Sequence, residues 1–145
     1  MYGLGIADDL TFEIAMKEKG CEVHAFDCTS PKYMQDVARK VGIHFHPWCI
    51  GKQHAFNTGN GYIKNSDPES LSSFKSLSEI VAELNHEKVT LLKMDIEGFE
   101  WGVFADMLSD GKFWPEQLSF ELHLEGSNPK AVNPEIVRGK GRKAM

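Results

Sequence analysis

Three carboxylates follow one apolar run of the sequence and could do chemistry together. Residues 89–94 are mostly apolar, which is typical of a strand covered on both faces, and Asp95, Glu97 and Glu100 come directly after them. Ligands of open α/β sheets bind at the carboxyl ends of the strands. A carboxylate there could hold a cationic group or remove a proton from a hydroxyl. Alternatively, Asp95 caps the next helix and the acids complement its first turn.

A second ionisable pair, Glu121 and His123, lies on one face of an alternating segment. Residues 118–124 alternate between apolar and polar types, the pattern of a strand with one covered face. A carboxylate and a histidine near a strand end could carry out acid–base chemistry, and a solvated polar face is the competing interpretation. We predict Asp95, Glu97 and His123 as the catalytic residues.

The amino-terminal segment has the order strand, glycine turn, helix, strand and acid. Gly3 and Gly5 make the turn, where the absence of side chains lets the backbone approach a ligand. Asp27 follows at about the 20-residue spacing of nucleotide-binding units, in which such an acid accepts hydrogen bonds from ribose hydroxyls. We therefore predict Gly3, Gly5 and Asp27 as cofactor contacts. For Asp27 the alternative is a cap of its own loop.

Asp8 and Asp9 make the same turn acidic. Two carboxylates would repel a diphosphate, so the turn favours a cofactor with positive charge and no phosphate. S-adenosylmethionine fits this description better than NAD does, and Asp9 and Asp95 are included among its predicted contacts. The alternative is that the two aspartates only stabilise a helix amino terminus.

The elements that must position these residues are short apolar runs alternating with amphipathic segments. This alternation predicts βαβ units and a parallel sheet. The strands are expected near residues 2–6, 23–26, 43–48, 89–94 and 118–124, and residues 51–73 are expected to form a loop. One helix is expected over residues 11–19, and a second begins at Pro31 with Ser30 as its N-cap. A third helix follows a Ser76–Glu79 capping box, and a fourth follows Gly98. The first helix would turn Phe12, Ala15 and Met16 inward.

Composition narrows the classes of function. The 145 residues suffice for one domain, and the formal net charge of -5 argues against a nucleic-acid partner. No stretch is long and apolar enough to span a membrane, and no signal peptide pattern is visible. His44 and His46 have no third ligand at metal-binding spacing, so no metal site is predicted. Cys28 and Cys49 both follow strands and could lie close together, with small, partly buried thiols as the favoured interpretation.

Four segments resemble the methyltransferase domain of the methyltransferase-like protein 24 group, which is related to FkbM-type O-methyltransferases. They are YGLGIADD with TFE at 2–13, HAFD at 24–27, LKMDIEG at 92–98 and FELH at 120–123. The resemblance implies a Rossmann-like class I methyltransferase fold, with Gly3, Gly5 and Asp27 on the cofactor and Asp95 near the reaction centre. It also suggests a parent protein of the secretory pathway or anchored to a membrane.

The chain departs from that family pattern at both ends. It lacks the upstream part of the first strand, and nothing after Leu124 resembles the last two strands. We expect a sheet of order 3-2-1-4-5, a partial methyltransferase domain over residues 1–125 and a polar tail over 126–145. The fifth strand would be an exposed edge with an apolar face, through which the chain could self-associate.

The expected function is transfer of a methyl group from S-adenosylmethionine to an oxygen of a small-molecule or glycan acceptor. Two alternatives stay open. A catalytically inactive fragment or interaction module would keep the fold only, and the missing ends favour it. An NAD-dependent oxidoreductase would also use a glycine turn and a strand-end acid, but the third glycine is missing and the turn is acidic.

Overall fold

The computed structural model describes residues 1–51, 74–111 and 113–123. The strands are β1 (Tyr2–Leu4), β2 (His24–Phe26), β3 (His44–His46), β4 (Cys49–Ile50), β5 (Phe74–Lys75), β6 (Leu91–Met94) and β7 (Gln117–Phe120). The helices are α1 (Thr11–Glu18), α2 (Tyr33–Lys40), α3 (Leu77–Glu83) and α4 (Glu100–Asp110). The predicted loop at 51–73 and tail at 126–145 lie, except for Gly51, outside the described residues.

Five parallel strands form the sheet that carries the candidate site. Their order is β3-β2-β1-β6-β7, which confirms the predicted order, with β6 and β7 as the predicted fourth and fifth strands. β3 lies at one edge, as Pro47 indicated. β4 and β5 pair with each other in a separate two-stranded sheet, which the sequence analysis did not predict.

The sheet is covered on both faces, which explains why its central strands are apolar. On one face, Tyr2, Leu4 and Leu92 pack with buried residues of α3 and α4. On the other face, Val23 and Ala25 pack with Leu10 and with residues of α2. The three residues of β1 are all buried, so this short strand is held by its neighbours on both sides.

Two of the predicted helix starts have different outcomes. The Ser76–Glu79 capping box at α3 is confirmed, since each residue's side chain accepts from the other's backbone N–H. The prediction of Ser30 as an N-cap is wrong. The Ser30 hydroxyl instead donates to the carbonyl of Ala7 at 2.5 Å, and α2 begins only at Tyr33.

Cys28 and Cys49 form a disulfide with a Cα–Cα distance of 4.9 Å. Cys28 follows β2 and Cys49 opens β4, which comes shortly after the neighbouring strand β3. The expectation of two partly buried thiols is therefore wrong, because the parallel pairing of β2 and β3 brings both strand ends together. The third cysteine, Cys21, is free and partly exposed.

β7 forms the other edge of the sheet and carries an exposed apolar surface. Leu118, Phe120 and Leu122 are 38%, 47% and 37% exposed, and Phe120 also packs edge-on against Phe104. Leu124, the last residue of the predicted strand, lies outside the described residues. Within the part of the chain that the structure covers, no helix has the length and apolar character to cross a lipid bilayer.

If the β7 edge drives self-association, Leu118→Lys should shift the chain toward the monomer mass, because a charged side chain on an exposed edge opposes strand pairing. Leu108→Lys is the matched control, since Leu108 is 71% exposed but lies on α4. Light scattering after size-exclusion chromatography measures the mass of each form. A monomeric parent chain, or equal effects of both variants, would contradict the prediction.

Candidate active site

The three predicted catalytic residues lie together at the carboxyl ends of β6 and β7. The Nε2 atom of His123 lies 3.9 Å from Asp95 Oδ1 and 3.6 Å from Glu97 Oε2. This convergence follows from the parallel register, which places Met94 beside Phe120, so that the residues after both strands leave the sheet at one edge. Glu121, the other member of the predicted pair, lies 3.8 Å from the same nitrogen.

Glu100 orients His123; the sequence analysis named it among the acids after residue 94 but predicted no catalytic or cofactor role for it. Its side chain is fully buried, and its Oε1 atom accepts from His123 Nδ1 at 3.1 Å. The same carboxylate accepts from the backbone N–H groups of Ile96 at 2.8 Å and Gly98 at 3.0 Å. It therefore stabilises the loop before α4 and fixes the imidazole at the same time. The sequence signal that could have identified Glu100 is an acid at the first position of a helix. Such a side chain can accept hydrogen bonds from the backbone N–H groups that precede the helix.

The charge state of His123 is set by its acidic surroundings. Burial disfavours the imidazolium, but the hydrogen bond to Glu100 and the negative charges of Glu100, Glu97 and Asp95 outweigh it and raise the pKa of His123. The His123 side chain is 16% exposed, so it is accessible from the surface. A histidine held at Nδ1 by a buried carboxylate has the geometry of a general base that works through Nε2.

The alternative interpretation, in which Asp95 caps the next helix, is wrong. α4 begins at Glu100 with Phe99 at its N-cap position, and neither Asp95 nor Phe99 makes a side-chain cap. Five residues form the link from β6 to α4, and Glu97 within it has a left-handed backbone with φ of 54°. Such a conformation is unusual for a residue with a side chain and costs about 1–3 kcal/mol. The Asp95 side chain is 39% exposed beside His123, where a ligand can reach it.

The glycine turn after β1 lies directly against this cluster. Gly5 has a φ of 71°, and a Cβ there would overlap the carbonyl oxygen of Asp95. The Gly5 carbonyl also accepts from Lys93 Nζ at 3.0 Å. Gly5 is therefore required, because only a residue without a side chain lets the turn after β1 contact the loop between β6 and α4.

Gly3 has a different neighbour, the carboxylate of Glu13. A Cβ at Gly3 would overlap Glu13 Oε1, and Glu13 is 1% exposed. Burial raises the pKa of Glu13, and its Oε1 atom has no hydrogen-bond partner among the described residues. The predicted inward face of α1 is wrong at Phe12, which is 39% exposed, and at Ala15, which is also exposed, whereas Glu13 is buried.

Asp27 lies at the end of β2, where an acid was predicted to bind ribose, but its carboxylate is fully used by the chain. Oδ2 accepts from the N–H groups of Ile6 at 3.1 Å and Ala7 at 2.8 Å. Oδ1 accepts from the N–H and hydroxyl of Thr29, both at 2.7 Å, and from the N–H of Ser30 at 3.0 Å. This is the loop-capping alternative, in which Asp27 ties the turn after β1 to the loop after β2. A ribose hydroxyl would have to compete with these five donors, so the ribose contact stays a prediction.

Asp9 also has a structural partner. Its Oδ1 atom accepts from the N–H of Thr11 at 2.8 Å and from the Thr11 hydroxyl. These hydrogen bonds, that of the hydroxyl first, lower the pKa of Asp9. Asp9 therefore stabilises the start of α1, as the alternative interpretation expected, and its cofactor contact stays a prediction.

Comparison with known proteins points to a family. A family model described as "Methyltransferase domain" matches residues 1–137. "Probable methyltransferase-like protein 24" of Homo sapiens is 32% identical over 142 residues, covering 95% of this chain and 37% of that protein. The protein of the same name from Rattus norvegicus is 30% identical over equal shares. The chain thus spans 37% of the length of these curated relatives. No solved structure matches the chain.

Asp27→Asn should destabilise the unliganded chain by about 2–4 kcal/mol, because an amide cannot accept at both ends and loses charge-assisted bonds. Asp36→Asn is the matched control, since Asp36 is an exposed α2 residue that forms an ion pair with exposed Arg39. Urea unfolding measures the free energy of unfolding of both variants. If Asp27→Asn unfolds like the parent chain and weakens only S-adenosylmethionine binding, Asp27 is a ribose contact and not a structural cap.

Proposed function

We propose that this chain, which belongs to the methyltransferase domain family, transfers a methyl group from S-adenosylmethionine to a hydroxyl oxygen of a small-molecule or glycan acceptor. The observation that carries the proposal is the imidazole of His123, held at Nδ1 by buried Glu100 with its Nε2 beside Asp95. A hydroxyl needs a base to become a good nucleophile, and this histidine lies where ligands of such sheets bind.

When bound, S-adenosylmethionine would supply an electrophilic methyl group on a sulfonium. The acceptor oxygen would bond to that carbon as the carbon–sulfur bond breaks, and S-adenosylhomocysteine would leave. His123 Nε2 takes the hydroxyl proton, and Glu100 Oε1 holds the ring while the imidazolium forms. Alignment of the acceptor supplies most of the remaining acceleration, because positioning alone can contribute several kcal/mol.

The choice of S-adenosylmethionine over a dinucleotide is supported by the glycine turn. The N–H groups of Ile6 and Ala7 donate to Asp27, and that of Thr11 donates to Asp9. A diphosphate would need such N–H groups and would meet two aspartates instead. A cationic donor without phosphate suits this turn, and Asp95 is the carboxylate we assign to its amino group.

Location in an oxidising compartment belongs to the same proposal. The Cys28–Cys49 disulfide supports it, because disulfides persist in oxidising compartments and are rare where glutathione keeps thiols reduced. The bond lies next to Asp27, so it stabilises the loop that the Asp27 carboxylate caps. The acceptor would then be a molecule available in that compartment, for which a glycan is one candidate class.

His123→Gln should lower methyl transfer by roughly 10²–10⁴, the usual range for a lost acid–base group, while S-adenosylmethionine still binds. Asp95→Asn should instead weaken donor binding, so the two variants separate the roles of base and cofactor contact. Single-turnover transfer to a panel of hydroxyl acceptors measures the transfer rate of each variant, and calorimetry measures its donor affinity. Full activity of His123→Gln would contradict the assignment of the base.

The ratio kcat/KM, which reports the free enzyme, should rise with pH through an apparent pKa above the ordinary histidine value of about 6.5, because only neutral His123 accepts a proton. Glu97→Gln removes one negative charge that raises this pKa, so the rising limb should move to lower pH. Glu18→Gln, a change at an exposed residue of α1, should leave the limb in place. A limb that does not move in Glu97→Gln would show that another group titrates.

S-adenosylmethionine and S-adenosylhomocysteine should raise the melting temperature of the chain, and NAD should not, because only ligands of the native state stabilise it. Differential scanning fluorimetry with the three compounds distinguishes the three candidate classes. Stabilisation by NAD alone would favour the oxidoreductase, and stabilisation by none of them would favour an inactive module.

A further inference from the structure

A cluster of polar and aromatic side chains lies at the amino-terminal edge of the sheet, opposite the candidate active site. Tyr2 and His24 are the first residues of β1 and β2, and they are paired across the two strands. Glu22 precedes β2, and His86 lies between α3 and β6. Asp95, by contrast, follows the last residue of β6, so the reaction proposed above does not use this cluster.

We propose that Glu22, His24 and His86 form a binding site for a divalent transition-metal ion of the zinc class. One carboxylate oxygen and one nitrogen of each imidazole lie within 4.8 Å of one another. Zinc binds histidine nitrogen and carboxylate oxygen at about 2.0–2.2 Å, so ligands around one ion are little more than 3 Å apart and a small closure would complete the set. Two imidazoles and one carboxylate are a common protein ligand set for this ion.

The ring positions of both histidines are already fixed by neighbours outside the ligand set. His24 Nδ1 lies 2.9 Å from His46 Nε2, which leaves His24 Nε2 facing Glu22 Oε1 at 3.1 Å. The Tyr2 hydroxyl lies 2.6 Å from His86 Nδ1. Partners of this kind orient metal-binding histidines and set their tautomer, and their loss weakens metal binding by about 10–100-fold.

Burial and access also suit an ion. His24 is 6% exposed, so this ligand is held rigidly, whereas Glu22 is exposed and His86 is partly exposed. The ion can therefore enter from solvent and meet a preformed buried nitrogen. Binding would replace the Glu22–His24 hydrogen bond and would release any proton held there.

No metal site was predicted from the sequence, because only His44 and His46 stood close enough in the chain to be recognised as candidate ligands. The proposed ligands come from two distant stretches of the chain, and neither His44 nor His46 is among them. The ion would link β2 to the segment after α3, so we assign it to stability of the fold and not to methyl transfer.

Zinc and cobalt titrations of the full chain test the site. Zn²⁺ should raise the melting temperature, and Co²⁺ should give visible absorption bands of a nitrogen- and oxygen-ligated ion. Glu22→Gln and His86→Gln should each weaken metal binding at least about tenfold. A tenfold loss is the lower end of the effect of removing a residue that only hydrogen-bonds a ligand, so loss of a ligand itself should cost no less. His44→Gln is the matched control, because exposed His44 stacks on His24 but is not a ligand. Tyr2→Phe is a milder variant that should weaken binding while keeping the ring packing.

A second group, Asp95, Glu100 and His123, also has atoms within 4.8 Å of one another, so His123→Gln is titrated in parallel. Retained binding in His123→Gln together with its loss in Glu22→Gln and His86→Gln supports the proposal. No binding by the parent chain, equal affinity in Glu22→Gln, His86→Gln and His44→Gln, or loss only in His123→Gln would overturn it. Circular dichroism of the metal-free variants separates lost ligands from lost folding.

Discussion

The carboxylate of Asp27 holds together the two loops from which the carboxyl end of the sheet is built. β1 has only three residues, so its exit into the glycine turn is not fixed by a long strand. Asp27 accepts two backbone N–H groups from that turn and three donors from the loop after β2. These bonds compensate the burial of a charge that is 9% exposed. With the turn fixed, Gly5 can lie against the Asp95 carbonyl and bring the two halves of the site together.

A second buried carboxylate, Glu100, fixes the loop between β6 and α4, as Asp27 fixes the turn after β1. A fully buried acid is costly unless its oxygens are occupied, and Glu100 has two backbone N–H groups and His123 as partners. Because the same oxygen contacts Ile96 N–H and His123, the conformation of the loop and the orientation of the imidazole depend on each other. This coupling explains how a link with an unfavourable backbone at Glu97 can still present a defined site.

The alternation of short apolar runs with amphipathic segments was enough to predict the parallel sheet, and it placed Asp95, Glu97 and His123 at or near the carboxyl ends of predicted strands. Residues that follow neighbouring parallel strands emerge at one edge, whatever their side chains do. What could not be predicted was which donors a side chain would find. The capping of two loops by Asp27, the tie from Ser30 to Ala7 and the inward turn of Glu13 depend on contacts between segments that are distant in the chain. The Cys28–Cys49 pairing likewise needed the loop positions, although the adjacency of β2 and β3 made it geometrically possible.

The acidic surroundings of His123 impose opposite demands on the proposed reaction. Asp95, Glu97 and Glu121 suit a cationic methyl donor, but the charges of Asp95 and Glu97, together with Glu100, raise the pKa of His123 and so favour the protonated form that cannot act as a base. A ligand that brings positive charge into the cluster offsets those carboxylates and lowers the cost of a neutral imidazole. The base would then become available when the donor site is filled. In that arrangement the carboxylates would do more than hold a ligand, because they would link the protonation of His123 to the presence of the sulfonium whose methyl carbon the acceptor oxygen attacks.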